Sequence, residues 1–187
     1  MKKALVTGAS RGIGRAIALE LGTNHHVYVG ASRDAGEVVD MLPSAEPFEV
    51  DLRDPEAIAA ACANIDELDV LVHAAIHLVR EFLPALRRSQ GLILTINSGA
   101  GFHGVEEGSI YCASKYALKG FTDVLRLEEQ GRVRVTSLHP GPTDTDMIAG
   151  DDRPKMQASD VAKAVRLAVD AGPDTVIDFL RMTPLRK

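Results

Sequence analysis

The sequence predicts a doubly wound α/β fold: a mainly parallel sheet of about seven strands with helices on both faces. Three observations point to it. Short apolar, β-branched runs alternate with longer amphipathic stretches along the 187 residues, the pattern of strand and crossover-helix units. The strand-like runs are apolar nearly throughout, as a sheet covered on both faces requires. A glycine-rich turn joins the first of these runs to the first helical stretch.

Taken in order, the first strand is expected at Ala4–Thr7 and the first helix at Gly12–Leu21. A strand at Val27–Ala31, a helix at Ala35–Leu42 and a strand at Phe48–Val50 follow. The next helix, Pro55–Ala63, has its start written in the sequence. Asp54 suits the N-cap, and Pro55 loses nothing in the first turn, where its missing N–H has no partner to find. A strand at Asp69–His73, a helix at Ile76–Arg88, a strand at Leu92–Asn97, a helix at Ser109–Gln130 and a strand at Val133–His139 continue the alternation. The last helix, Ser159–Ala171, opens at Ser159-Asp160 and ends before Gly172-Pro173; a strand at Thr175–Leu180 closes the series. The length fits one domain spanning 1–187. Ile148–Gln157 is the main loop, so the region available to shape a substrate pocket is small, about 147–158.

One junction breaks the pattern. In Val70-Leu71-Val72-His73-Ala74-Ala75-Ile76-His77-Leu78-Val79 a strand meets a helix with no turn residue between them, although such connections take about two to six residues. The expectation is that a segment is absent near Ala75–Ile76, either unseen or deleted.

Composition excludes several classes. With 45% hydrophobic and 25% charged residues and a net charge of −5, the chain offers no basic face for nucleic acid. The opening Met1-Lys2-Lys3 resembles the head of a secretory signal, but Gly8 and Arg11 interrupt the apolar run and no later run is long enough to span a membrane. A cytoplasmic location is expected. Cys62 and Cys112 are too few and too far apart for a disulfide framework or a zinc site and read as reduced thiols; no metal site is expected.

The turn reads Thr7-Gly8-Ala9-Ser10-Arg11-Gly12-Ile13-Gly14. Glycines let a backbone turn sharply and approach a pyrophosphate, whose charge the free N–H groups of the following helix favour. The second strand ends Ala31-Ser32-Arg33, where an NAD-specific fold usually carries an acid for the ribose 2′-OH. Arg11 and Arg33 instead offer guanidinium groups to a 2′-phosphate, so the expected cofactor is NADP(H).

Tyr111 and Lys115 stand four residues apart on one helix face, and Ser98 follows the Leu92–Asn97 strand. In a parallel sheet that strand end lies on the same edge as the glycine turn. A tyrosine near pKa 10 is a poor acid or base at neutral pH, but an ammonium about 4 Å away is worth about 4 kcal/mol at an effective dielectric near 20. Tyr111 is thus the candidate proton donor to a forming alkoxide, with Ser98 hydrogen-bonding the same oxygen.

These residues resemble those of the classical short-chain dehydrogenases/reductases from Lys3 to about Met147. Thr7 to Gly14 is similar to that family's TGxxxGxG, Asp51-Leu52 to its adenine-contacting pair, and Ser98, Tyr111 and Lys115 to its catalytic serine, tyrosine and lysine. His139-Pro140-Gly141-Pro142-Thr143-Asp144-Thr145 resembles its PG motif. The resemblance implies a Rossmann fold and an oxidoreductase that moves hydride between NADP(H) and a small-molecule carbonyl or secondary alcohol. It also implies a homodimer or homotetramer paired through the two long helices. Lys115 would bind the nicotinamide ribose, the Thr143 backbone would meet the carboxamide, Thr145 would lie beside the cofactor, and Pro140 and Gly141 would also contact it. Two departures stand out. Where the family has Asn-Asn-Ala-Gly, this chain reads His73-Ala74-Ala75-Ile76, of which the first three are retained as cofactor contacts. Its fourth catalytic residue, an asparagine, has no counterpart between Ile76 and Gln90. They motivate an alternative, a catalytically idle NADP(H)-binding regulatory protein.

Other candidates are set aside or held open. His25-His26 read as a solvated loop, since adjacent side chains diverge and no ligand pattern accompanies them. His73 reads as a satisfied strand-end histidine, His103 as a pocket residue or an incidental one, and Glu106-Glu107 as solvated.

Overall fold

The computed structural model describes residues 1–73 and 75–185. Seven strands, β1 (Lys2–Val6), β2 (His25–Ala31), β3 (Ala45–Glu49), β4 (Val70–His73), β5 (Leu92–Ile96), β6 (Arg134–Pro140) and β7 (Phe179–Met182), form one sheet in the order β3-β2-β1-β4-β5-β6-β7. Every neighbouring pair is parallel, so each connection must cross a face. The crossovers carry helices α1 (Gly12–Leu21), α2 (Gly36–Asp40), α3 (Pro55–Cys62), α4 (Ile76–Ser89), α5 (Ser109–Glu128) and α6 (Ala158–Asp170).

Side-chain alternation along the strands divides the core into two layers. Val6, Val29, Val72 and Leu94 point to the face covered by Ile17 and Leu21 of α1 and Val161 and Val165 of α6. Leu5, Leu71, Ile93 and Val135 point to the other, under Ile58 of α3, Leu78, Phe82 and Leu86 of α4 and Leu125 of α5. The central strands are buried on both faces, which is why they carry no polar alternation. The Asp54 carboxylate caps α3 as expected, accepting from the Glu56 and Ala57 N–H groups at 3.0 and 3.1 Å.

Several boundaries differ from the sequence reading. His25 and His26 are not in a solvated loop: they open β2, paired with Lys2 and Lys3 of β1, and His25 is buried. β3 starts at Ala45 rather than Phe48 and ends before Val50, because its pairing with Val27–Ala31 of β2 sets its length. β7 lies at Phe179–Met182 rather than Thr175–Leu180, fixed by pairing with Ser137–Pro140. α6 starts at Ala158, and its N-cap is Gln157, which makes no side-chain cap bond; Ser159 lies inside the helix. α4 opens at Ile76 with Ala75 as its N-cap.

Candidate active site

The glycine turn leaves β1 at the carboxyl edge of the sheet and is stitched to two neighbouring strands. The Thr7 N–H donates to the Val72 carbonyl at 3.0 Å and the Ala9 N–H to the Gly30 carbonyl at 2.8 Å. Gly8 and Gly12 have φ of 63° and 55°, the left-handed region that side chains disfavour. Gly14 is required by contact instead, since a Cβ there would lie 2.1 Å from the Gly8 oxygen. Arg11, the N-cap of α1, makes no side-chain cap bond, and no acid occupies the first turn. The N-terminal N–H groups of α1 therefore lack a capping side chain, and the helix end is open to an anion. Ser10 and Arg11 are exposed, the latter 3.9 Å from Asp146.

At the end of β2, Arg33 is exposed and has no ion-pair partner among the described residues. Asp34 is occupied locally, accepting from the Gly36 N–H at 2.8 Å. Asp51, the expected adenine contact, is clamped by Arg53 through bonds of 3.0 and 2.6 Å, and that guanidinium holds its carboxyl down at about 2. Leu52 packs against the core beneath α3.

Ser98 follows β5 and caps the 3-10 turn Gly99–Gly101, its Oγ accepting from the Ala100 N–H at 3.2 Å. Tyr111 and Lys115 lie one turn apart on α5, with the Lys115 Nζ 5.7 Å from the Tyr111 ring centre. The same Nζ donates to the Ile96 carbonyl of β5 at 3.3 Å, and burial draws its pKa below the ordinary lysine value. That contact anchors the lysine on the strand that presents Ser98. Beside it Asn97 is buried; its Oδ1 accepts from the Ser98 N–H at 2.9 Å while its Nδ2 has no partner among the described residues.

β6 runs into Pro140 and Gly141, the latter fixed by its N–H bond to the Met182 carbonyl at 2.8 Å. Thr143 is buried and pairs with Met156, so the intervening segment leaves and returns to one point. Thr145 bonds the Thr143 carbonyl at 3.3 Å, and its methyl lies 3.3 Å from where a Gly12 Cβ would stand.

Residues expected from separate stretches of sequence do meet. Ile13, Ser98, Tyr111, Pro140, Gly141, Thr143 and Thr145 line one cavity of about 1080 Å³, and His103 lines it too. Gly14 and His73 line a smaller one of about 130 Å³ with Thr7 and Ile96. His73 is buried; its Nδ1 accepts from the Ala75 N–H at 3.1 Å, while its Nε2 has no partner among the described residues. It is therefore half satisfied, and burial lowers its pKa to about 4. Ala74, expected as a cofactor contact, lies outside the described residues. Arg33, Asp51 and Leu52 do not line either cavity.

The sequence reading missed a buried hydrogen-bond chain that ends on Ser98. The His139 Nδ1 lies 3.0 Å from the Ser98 carbonyl, which only accepts, so Nδ1 carries the proton. Its Nε2 then accepts from the Ser137 hydroxyl at 2.8 Å. Ser137 accepts from Thr95 at 3.2 Å, and Thr95 from Thr122 of α5 at 3.2 Å. Burial keeps His139 neutral by lowering its pKa, which preserves this order. The chain ties the helix of Tyr111 and Lys115 to the strand end of Ser98. Part of a signal was available: Thr95 is the one polar residue of β5, although in β6 Ser137 and His139 stand among Arg134 and Thr136. We expect His139→Leu to lower kcat by roughly 10- to 100-fold by displacing Ser98, with NADPH affinity little changed. His139→Asn, which keeps a donor near the Nδ1 position, should recover most of the loss; equal impairment of the two variants would reduce the residue to packing.

Comparison with known proteins agrees with this arrangement. The short chain dehydrogenase family profile matches residues 2–75 and 66–155. L-xylulose reductase of Mus musculus is 28% identical over 212 aligned positions, covering 96% of this chain and 87% of its own. Because 96% of 187 residues fills those 212 positions, about 32 of them have no residue of this chain opposite. The NADPH-dependent pterin aldehyde reductase of Arabidopsis thaliana is 26% identical, covering 88% of this chain and 85% of its own. A short chain dehydrogenase from Burkholderia cenocepacia J2315, solved in complex with NADP, superposes with a TM-score of 0.85 at 26% identity over 98% of this chain and 90% of its own. With the family profile matching from β1 through the strap that closes on Met156, the chain belongs to the short-chain dehydrogenases.

Proposed function

We propose that the protein is an NADP(H)-dependent oxidoreductase that interconverts a carbonyl and a secondary alcohol. The observation that carries this is the meeting of Ser98 and Tyr111 at one cavity, with Lys115 beneath Tyr111 and anchored on β5. The uncapped N-terminus of α1, the close packing at Gly14 and the unpaired Arg33 fit a dinucleotide with a 2′-phosphate. When bound, the nicotinamide supplies the hydride. Tyr111 gives its proton to the substrate oxygen, and Ser98 hydrogen-bonds that oxygen as its charge develops. Lys115, a cation beside the Tyr111 ring, favours the tyrosinate that remains. Its bond to the Ile96 carbonyl holds it in place without an asparagine from α4.

The shortened crossover between β4 and α4 is read as a deletion. Support comes from the aligned positions that this chain leaves empty and from a family profile that matches in two pieces, 2–75 and 66–155, which overlap just before the junction. Oligomerisation through α5 is the companion reading, supported by Ile110, Val124 and Leu127, which stand exposed along it. Among the described residues no helix is long and apolar enough to cross a membrane; we assign a cytoplasmic location on the charge and cysteine content of the sequence.

The test is turnover and binding together. Full-length protein should bind NADPH in a fluorescence titration and oxidise it with a panel of aldehydes, ketones and quinones. Arg33→Ala should weaken NADPH by about tenfold, the loss of a charge-assisted contact, while leaving NADH unchanged. NADPH binding with no turnover across the panel would overturn the catalytic reading, and equal affinity of wild type and Arg33→Ala for NADPH would overturn the role of Arg33.

A further inference from the structure

The chain carries more acids than bases, 26 Asp and Glu against 21 Lys and Arg, yet among the described residues no acidic side chain lines the 1080 Å³ cavity. Its charged lining is Arg153 and Arg181. Arg153 is neutralised by Asp151, with Nε and Nη2 bonds of 3.0 and 2.6 Å. Arg181, on β7, has no carboxylate partner among the described residues. Its guanidinium lies instead 5.9 Å from the centre of the Phe102 ring, a position stabilised by the ring face. Lys119 lies 5.3 Å from the same ring, but Asp123 neutralises it at 2.6 Å. Among the described residues Arg181 is thus the unneutralised cation of this wall.

Its place in the sheet relates it to the chemistry. Arg181 pairs in register with His139, whose ring bonds the Ser98 carbonyl. From the end of β5 to β7 is two strand spacings, about 10 Å, much of which an arginine side chain covers. A group bound at its planar fork would sit a few bonds from a carbonyl held by Ser98 and Tyr111. The remaining wall, with Met147, Ile148, Pro142 and Met182, suits a short carbon skeleton between them. We propose that the substrate is a carbonyl compound bearing a carboxylate a few bonds from the reacting carbon, and that Arg181 recognises that carboxylate. The proposal rests on the oxidoreductase reading and adds the substrate class.

The test uses a matched pair and a binding probe. With 4-oxopentanoate and its methyl ester as substrates, wild type should favour the acid in kcat/KM by about tenfold or more, the worth of a charge-assisted bidentate contact. That ratio should fall to near one in Arg181→Met and lie between in Arg181→Lys. Succinate, titrated calorimetrically into the protein with NADPH added, should bind wild type about tenfold more tightly than Arg181→Met. Equal affinities, no binding by wild type, or an acid-to-ester ratio near one in wild type would overturn the proposal. Succinate binding that depends on Arg181, without turnover of either substrate or of any carbonyl in the panel, would keep the carboxylate site and overturn the hydride-transfer reading. Equal turnover of acid and ester would do the reverse.

Discussion

Tyr111→Phe is expected to lower single-turnover NADPH oxidation by about 10³-fold, within the range for loss of a positioned general acid, with NADPH affinity within about threefold of wild type. The substitution removes one hydroxyl and keeps the ring beside which Lys115 lies. Tyr111 is 45% exposed, so the missing oxygen leaves no buried void and the fold should be unaffected. Ser98 and Lys115 remain, and they account for whatever rate persists. Ser98→Ala should cost less, because it removes a hydrogen bond to the substrate oxygen rather than the source of the proton. Stopped-flow measurement with enzyme in excess separates chemistry from product release. Wild-type rates in Tyr111→Phe would remove Tyr111 from the mechanism.

Gly14→Ala is the second large effect, and it acts on a different link. A Cβ at residue 14 would stand 2.1 Å from the Gly8 oxygen, 2.6 Å from the Gly8 carbonyl carbon and 3.1 Å from the Ala9 Cα. All three are backbone atoms, so no rotamer change relieves the clash. Retreat of α1 is blocked as well, since Ile17, Ala18 and Leu21 are fully buried against the sheet. The turn itself must open, and its two stitches to β4 and β2 strain with it. We expect a stability loss of about 2 kcal/mol, in the range for forced overpacking, read from urea unfolding. NADPH affinity should fall by roughly 100-fold, because the N–H groups that face the pyrophosphate move. Gly104→Ala is the control, since a Cβ there meets nothing within 4 Å. A Gly14→Ala protein of wild-type stability and NADPH affinity would show that the turn is looser than its contacts indicate.

The central sheet was legible because its strands are buried on both faces, so Ala4 to Val6, Val70 to Val72 and Leu92 to Leu94 read as unbroken apolar runs. The edges were not. β3 reads Ala45-Glu46-Pro47-Phe48-Glu49 with only Phe48 buried, and its length comes from pairing with β2 rather than from its own pattern. Thr175, Val176 and Ile177 carry the β-branched signal that drew the last strand too early, while the ladder with β6 engages Phe179–Met182. His25 and His26 carry no strand signal at all and are drawn into β2 by Lys2 and Lys3 opposite.

In the site, Tyr111 and Lys115 were legible because one helical turn separates them, and Ser98 because it follows a clear strand. Asp51, the adenine contact implied by the resemblance, is met by Arg53 two residues on, a local contact that motif spacing does not reveal. The chain from Thr122 through Thr95 and Ser137 to His139 was missed because two of its links join residues far apart in sequence, 27 for Thr122 and Thr95 and 42 for Thr95 and Ser137. The β4–α4 junction was legible as an anomaly. There α4 opens at Ile76, and Lys115 donates to the Ile96 carbonyl.

The most direct measurement of the central claim is deuterium transfer. Wild-type protein given NADPH deuterated on the reactive nicotinamide carbon, together with the carbonyl panel, should yield an alcohol one mass unit heavier, and Tyr111→Phe should yield almost none in the same time. A wild-type protein that binds NADPH tightly and delivers no deuterium to any carbonyl would contradict the account.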